Sequence, residues 1–363
     1  MNNTIVIDYR WSNKTGIGRH VDYALPKILT SFKKVYLISN NDTINIEANF
    51  EELKKIEIIK VKSKLYSLLE QIEIPKLFPK NYDVCWFPNY NAPILIRKNK
   101  IIHIHDLAHI DFKRNIFKMI FSYMLIVLNI ITSKIVLTVS NTSKIKIIRY
   151  FSFLKLDKKI KVIYPGVLDR KNKSINNKNY ENRKIILSIG TVKKRKNFLT
   201  LVEAFNDFVN KNNKGFHSNN DFVLNIIGQK SNLGDIDYKA LSYESENIKF
   251  LGQVSDLEIK EIFSKTRLFI FPSLYEGFGM PPIEAMKNEI PTICSDIAVL
   301  KEVCSDASIY FESTNHKDLS DKIHQLICDD VLQKKLIKKG LEQSKKYTWK
   351  NYNNLLINII REI

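Results

Sequence analysis

The chain has 363 residues, 44% of them hydrophobic and 26% charged, which suits a soluble globular protein of about two domains. Its four cysteines, Cys85, Cys294, Cys304 and Cys328, show no CxxC spacing, which argues against a disulfide framework or zinc site and for a reducing, cytoplasmic setting. A formal net charge of +19 fits a lysine-rich solvated surface or an anionic membrane face; no recognition motif for nucleic acid accompanies it, so nucleic acid is not expected as a partner.

The N-terminus, MNNTIVIDYR, lacks the charged and apolar regions of a signal peptide and runs straight into a strand at Thr4 to Tyr9. A loop with Thr15-Gly16-Ile17-Gly18-Arg19 follows and opens a helix to about Thr30, with Pro26 expected to kink it. Short apolar runs then read as buried strands: Val35 to Ser39, Ile56 to Val61, Tyr82 to Phe87, Lys100 to His105 and Lys134 to Ser140. Between the last two, Ile116 to Thr132 is the most apolar run in the chain. Lys118 interrupts it, leaving too short an uncharged stretch for a membrane span, so a buried helix is expected, with a membrane-interfacial helix as the second reading.

Residues 168–183 are polar, asparagine-rich and aperiodic, and are expected to be a linker. Alternation resumes with strands at Lys184 to Gly190, Phe222 to Gly228, Ile248 to Gln253, Arg267 to Ser273, Pro291 to Asp296 and Ala307 to Phe311. A helix follows Asn197, Ser255 and Glu258 form a capping box for another, and helices starting near His316, Val331 and Thr348 close the chain. This pattern predicts an α/β fold of two Rossmann-like domains with parallel sheets, residues 1–167 and 184–347, and a final helix in 348–363. Ligands of such sheets lie beyond the strand C-terminal ends, so a shared ligand is expected in a central cleft.

The most informative stretch is FPSLYEGFGMPPIEA, residues 271–285. A strand leads into a Gly-Phe-Gly turn, and Pro281 and Pro282 suit the first turn of a helix. Glu276 falls in the loop and Glu284 in the first helical turn, where a carboxylate ordinarily serves as a helix-dipole partner. Two carboxylates framing Gly277-Phe278-Gly279 suggest hydroxyl recognition beside a phosphate site. EGFGMPPIE resembles the donor-binding signature of retaining, nucleotide-sugar-dependent glycosyltransferases of the GT-B fold, most closely family 4 and its mannosyltransferase-like members. The resemblance covers both halves of the chain, is strongest from Lys184 to Glu302, and implies that the final helix, Thr348 through Ile360, crosses back to the N-terminal domain.

The resemblance implies roles for particular residues. Glu276 would hold hydroxyls of the donor sugar, Glu284 the ribose hydroxyls, and Gly277, Phe278 and Gly279 would supply backbone contacts. Arg195 and Lys196, after the strand Lys184 to Gly190, look like the family's basic pair that neutralises the donor diphosphate, while Lys193 and Lys194 read as solvated. TGIGR resembles the family's N-terminal loop, so Gly16 and Gly18 are expected near phosphate; by spacing alone a simple tight turn is equally open. His105 would meet the transferred sugar and Asp106 would orient it or meet the acceptor. His103 is expected in the core, and no metal or other cofactor is expected, because no glutamate or cysteine completes a ligand set with His103, His105 and His109.

The implied reaction is retaining transfer of a hexose, mannose for preference, from a nucleoside-diphosphate sugar to a lipid-linked glycan in O-antigen, lipopolysaccharide or surface polysaccharide synthesis. The protein would then be peripheral at the inner face of the plasma membrane. A UDP- or dTDP-sugar donor is the near alternative, and a non-catalytic glycan-binding partner in a polysaccharide assembly complex is one from another class. A nicotinamide-dependent dehydrogenase is disfavoured, since neither first βα turn carries GxGxxG with an acidic residue about twenty positions on.

Overall fold

The computed structural model describes residues 3–12, 16–41, 49–111, 116–168, 183–211, 221–229 and 237–363. Thr15 and nearly all of the expected linker lie outside the described residues, as do the side chains of His109 and Lys118. The chain divides into two compact units, Met1–Gly166 with Thr348–Ile363, and Val167–Tyr347.

The first unit carries a seven-stranded sheet of β1 (Thr4–Asp8), β2 (Lys34–Ser39), β3 (Ile56–Lys60), β4 (Val84–Phe87), β5 (Lys100–His103), β6 (Ile135–Thr138) and β7 (Ile160–Val162). Every pairing is parallel, in the order β3-β2-β1-β4-β5-β6-β7. β4, β5 and β6 are buried along their whole length, because a parallel strand is covered on both faces. On one face Val21, Leu25 and Ile28 of the helix Gly16–Ser31 pack with Tyr352, Leu356 and Ile360 of the last helix, Trp349–Arg361. Tyr23 stacks on Trp349 with ring centroids 4.6 Å apart, and Asn353 Nδ2 donates to the Tyr23 carbonyl at 2.8 Å. The helix Gly16–Ser31 continues through Pro26.

The other face is covered in part by the helix Ile116–Thr132, and here the structure corrects the expectation of a buried helix. Leu125, Ile126 and Ile130 reach the core, but Ile120, Met124 and Ile131 face solvent. The run is apolar all round, so its sequence cannot say which side is covered. Its end is anchored by Lys100 at the start of β5, whose buried ammonium donates to Asn129 Oδ1 at 2.8 Å and Thr132 Oγ1 at 2.7 Å.

The second unit carries a six-stranded sheet of β8 (Ile185–Ile189), β9 (Val223–Ile227), β10 (Ile248–Gly252), β11 (Thr266–Phe271), β12 (Thr292–Ser295) and β13 (Ser308–Phe311), again all parallel, in the order β10-β9-β8-β11-β12-β13. The chain winds outward both ways from β8, so the strand order reverses between β8 and β11. Loops leaving the C-terminal ends of those two strands flank the crevice where such sheets bind ligands. Phe198, Leu201 and Phe205 of the helix Phe198–Lys211 join Leu319 and Ile323 of the helix His316–Cys328 in the core.

Candidate functional site

In the second unit, residues 190–197 leave β8 and residues 272–279 leave β11, and the two loops are tied together at several points. Leu274 N–H donates to the Arg195 carbonyl at 2.9 Å, and Arg195 Nη1 donates to the Tyr275 carbonyl at 3.4 Å. Asn197 Nδ2 donates to the Pro272 carbonyl at 3.1 Å and to the Ser313 carbonyl at 2.6 Å. Asn197 itself is left-handed, with φ 59°, a conformation that asparagine tolerates better than most residues. Its backbone ends the short turn Lys194–Lys196 and lets the helix Phe198–Lys211 begin.

This bracing brings Lys196 to Glu276. Their side chains form an ion pair and are only 12% and 13% exposed. Lys196 Nζ also lies 5.2 Å from the centre of the Phe271 ring. A cation and a carboxylate thus stand side by side at the crevice, the first suited to phosphate oxygens and the second to sugar hydroxyls. Arg195 is half-buried and directed to the same loop; Lys194 is exposed, as expected of a solvated lysine, whereas Lys193, expected to be solvated too, is half-buried. The end of β12 and the residue after it are hydrogen-bonded to neighbouring loops. Ser295 Oγ donates to the Ser273 carbonyl, and Ser313 Oγ donates to Asp296 Oδ1 at 2.6 Å, which holds the Asp296 carboxyl below its usual range.

Gly279 precedes the helix Met280–Lys287 with φ 96°, and a Cβ there would lie 2.6 Å from Leu300 Cδ2. Only glycine makes this turn without strain. Glu284 is buried at the fifth helical position, one residue beyond the first turn where the sequence reading put it. A helix-dipole role is weakened accordingly. The prolines at 281 and 282 have no N–H, so they remove two of the four donors that a helix N-terminus normally presents to an anion. Backbone donation to a ligand falls to the preceding glycine turn.

In the first unit, His105 lies two residues beyond β5, and its Nε2 donates to the Pro88 carbonyl at 2.8 Å. A carbonyl can only accept, so the proton is on Nε2 and the Nδ1 lone pair is available. Burial pushes the His105 pKa down, partly offset by Pro88 and Asp106, and the ring is neutral at pH 7. Asp106 Oδ1 accepts from Ala108 N–H at 2.9 Å and so serves the turn that follows. Gly16 and Gly18 lie inside the first turn of the helix Gly16–Ser31, not in a loop ahead of it. His103 is fully buried, as expected, and neither ring nitrogen has a hydrogen-bond partner.

Two arrangements here escaped the sequence reading. His20, one turn into its helix, meets His103 and His105, with ring centroids 5.1 and 4.7 Å away and ligand atoms of all three within 4.8 Å of one another. No carboxylate or cysteine joins them among the described residues. Beyond β1, Arg10 is buried between Asp8, which takes its Nε at 2.8 Å and Nη2 at 2.7 Å, and Glu70, whose Oε2 is 2.9 Å from Nη1. Burial raises the Glu70 pKa to about 7 despite the guanidinium. His20 and Glu70 carry no local signature of these groupings, because each lies far along the chain from the residues it meets.

The described loops and their paired charges fall within residues 169–343, which match the family described as "Glycosyl transferases group 1". This segment is a group 1 glycosyl transferase domain. The O-antigen chain mannosyltransferase B of Escherichia coli is 29% identical over 174 residues, covering 47% of this chain and 44% of that one. The O-antigen chain mannosyltransferase RfbU of Salmonella typhimurium is 28% identical over 239 residues, covering 66% and 63%. The chain therefore spans less than two thirds of the length of these relatives. The structure of Anabaena HepE in complex with UDP and glucose superposes with a TM-score of 0.72 at 15% identity, covering 100% of each chain. The fold is GT-B, and both braced loops belong to the transferase domain.

Proposed function

We propose that the protein is a retaining glycosyltransferase that moves a hexose, mannose for preference, from a nucleoside-diphosphate sugar to a lipid-linked glycan in O-antigen or related surface polysaccharide synthesis. The observation that carries this reading is the Lys196–Glu276 pair at the crevice between β8 and β11. The leaving diphosphate needs cations where charge develops, and the sugar needs acceptors for its hydroxyls. Lys196 and Arg195 serve the first need and Glu276 the second, while Glu284 takes the ribose hydroxyls. The turn Gly277-Phe278-Gly279 offers backbone contacts. His105 meets the transferred sugar, Asp106 orients it or meets the acceptor, and Gly16 and Gly18 open the helix near phosphate.

Attack of the acceptor on the face that the diphosphate leaves, with the diphosphate taking the proton, retains configuration and requires no metal. The O-antigen mannosyltransferase names support mannose, and UDP with glucose in HepE supports a nucleotide-sugar donor while keeping a UDP-sugar open. No described helix is long and apolar enough to cross a membrane. In this reading the protein works at the inner face of the plasma membrane, where the lipid-linked acceptor is held. The test is a thermal-shift panel of GDP, UDP and dTDP, followed by donor turnover with the stabilising nucleotide. Stabilisation without any transfer or hydrolysis would favour a non-catalytic glycan-binding partner, and no stabilisation by any of them would overturn the reading.

A further inference from the structure

Three imidazoles meet in the first unit, and the fold gives their ring nitrogens little else to bind. His103 ends β5 and His105 lies two residues on, so the extended chain sends both side chains to one side, with ring centroids 4.4 Å apart and planes 19° from parallel. His20 meets them from the helix Gly16–Ser31. Its own ring is flanked edge-on by Trp349 at 5.7 Å and Tyr352 at 5.2 Å between centroids. One ligand nitrogen from each histidine lies within 4.8 Å of the other two. His20 Nδ1 and both nitrogens of His103 are buried without a hydrogen-bond partner in the protein. Burial pushes the pKa of these two rings well below the ordinary 6.5, so each keeps a lone pair at neutral pH.

The third ring has the orientation that a metal ligand needs. His105 Nε2–H is committed to the Pro88 carbonyl at 2.8 Å, which leaves Nδ1 as the coordinating atom. A metal-bound imidazole is ordinarily fixed by such a bond from its other nitrogen. Tetrahedral bonds of about 2.0–2.1 Å put the nitrogens of a zinc site about 3.4 Å apart. Closing from 4.8 Å then asks each ring to swing by about 0.7 Å, which small side-chain rotations supply. Three neutral nitrogens, with no carboxylate or thiol beside them among the described residues, suit zinc, cobalt, nickel or copper and not the oxygen-seeking magnesium or calcium. The set needs no carboxylate or cysteine to complete it, because His20 brings the third ligand to the pair on the strand. His20 and His103 are buried while His105 is only half-buried, so the way in is on the His105 side.

We infer that His20, His103 and His105 form a binding site for zinc or a similar late first-row divalent ion, entered from the His105 side, where a water or an anion takes the fourth position. The ion has no part in the transfer chemistry. Its consequence for activity rests on the reading of His105 as a contact of the transferred sugar: a metal on Nδ1 occupies that contact, and zinc becomes a reversible inhibitor. The test is titration of the metal-free full chain with cobalt(II), then zinc. Wild type should show the visible spectrum of four-coordinate cobalt, displaced by zinc. It should lack the thiolate charge-transfer band that binding at the exposed pair His324 and Cys328, 3.9 Å apart from Nε2 to Sγ, would give. His20→Phe keeps an aromatic ring against Trp349 and Tyr352 but removes the nitrogen. It should lower zinc affinity by at least about a hundredfold, since losing even an outer-shell partner costs about tenfold to a hundredfold. The zinc-dependent rise in melting temperature should vanish in this variant while the response to nucleoside diphosphate persists, so this site and the transferase reading fail separately. Zinc should slow donor turnover in wild type and not in His20→Phe, and EDTA should restore it. Equal zinc affinity in wild type and His20→Phe would overturn the inference. So would a wild-type cobalt spectrum that is six-coordinate or carries the thiolate band, a readout that stands even if the variant fails to fold.

Discussion

Lys196 and Glu276 stand 80 positions apart in the chain and meet as an ion pair at the C-terminal ends of adjacent strands. Each is the other's counter-ion until a ligand arrives, and this gives the two substitutions opposite effects on the product nucleotide. Lys196→Ala removes the phosphate's cation and leaves a carboxylate beside it. Nucleoside diphosphate affinity should fall by about tenfold to a hundredfold, the worth of a hydrogen bond to a charged group. Glu276→Gln frees the ammonium, so the nucleoside diphosphate should bind as well or better, while turnover falls by about a hundredfold or more. Titration calorimetry and donor turnover on both variants check this. Equal losses of nucleotide affinity in the two would contradict the division of labour.

Gly279→Ala tests the turn that presents the loop to its ligand. The Leu300 methyl lies at the end of a side chain that can move, so the steric conflict is relieved by a rotamer change. The backbone at φ 96° cannot be relieved, and it should cost about 1–2 kcal/mol. Denaturant unfolding should show that loss, together with weaker nucleotide binding. Unchanged stability would mean that the turn relaxes to another conformation.

Much of this arrangement was legible in the sequence, and the exceptions share a cause. Strands announced themselves as short β-branched runs, and the capping box of Ser255 with Glu258 is formed as spaced. Glu276, Lys196 and Gly279 lay in patterned segments. By contrast, His20 reaches His103 only because the helix Gly16–Ser31 lies over the sheet, and Arg10 reaches Glu70 only because the separate helix Glu70–Leu77 is brought beside the end of β1. Such contacts have no period to detect. The uncovered side of Ile116–Thr132 was hidden for a different reason: with apolar residues all round, only the position of the neighbouring elements decides which side is buried.

Transfer is expected to survive exhaustive chelation, because in the proposed chemistry Lys196 and Arg195 take the place of a divalent cation at the diphosphate. Turnover measured before and after treatment with EDTA checks this. A loss restored by added divalent ion would sink the metal-free reading, and the His20, His103 and His105 nitrogens would be the first ligands to substitute.

Lys100 gives the stability a pH dependence with a definite sign. Burial lowers its pKa from the ordinary 10.5 to about 7, so the folded state holds this proton less tightly than the unfolded state. Between about pH 7 and pH 10.5 the unfolded chain binds more protons here, and this site's contribution to stability rises with pH across that window. Below pH 7 the cost of a buried ammonium is fully present. Lys100→Met should therefore flatten the rise, which is read as the difference between wild-type and variant unfolding free energies from pH 6 to pH 10. A constant difference across that range would show that the ammonium is retained in the folded protein by its bonds to Asn129 and Thr132.

Asn197 offers the sharpest separation of backbone from side chain. Its left-handed backbone lets the turn carrying Arg195 and Lys196 end where it does, and its amide holds Pro272 and Ser313 from the two neighbouring loops. Its Oδ1 accepts from Thr200 Oγ1 at 2.8 Å, so the amide is fixed from both ends. Asn197→Gly keeps the conformation and loses the bonds, whereas Asn197→Ala loses both. Stability should fall in the order wild type, glycine, alanine, with the last step about 1 kcal/mol for the left-handed backbone. Both variants should lose nucleotide affinity to a similar extent, since both release Pro272 and with it the loop that carries Glu276. If glycine restored wild-type binding, the amide bridges would be irrelevant to the site, and the backbone conformation alone would set the position of Lys196.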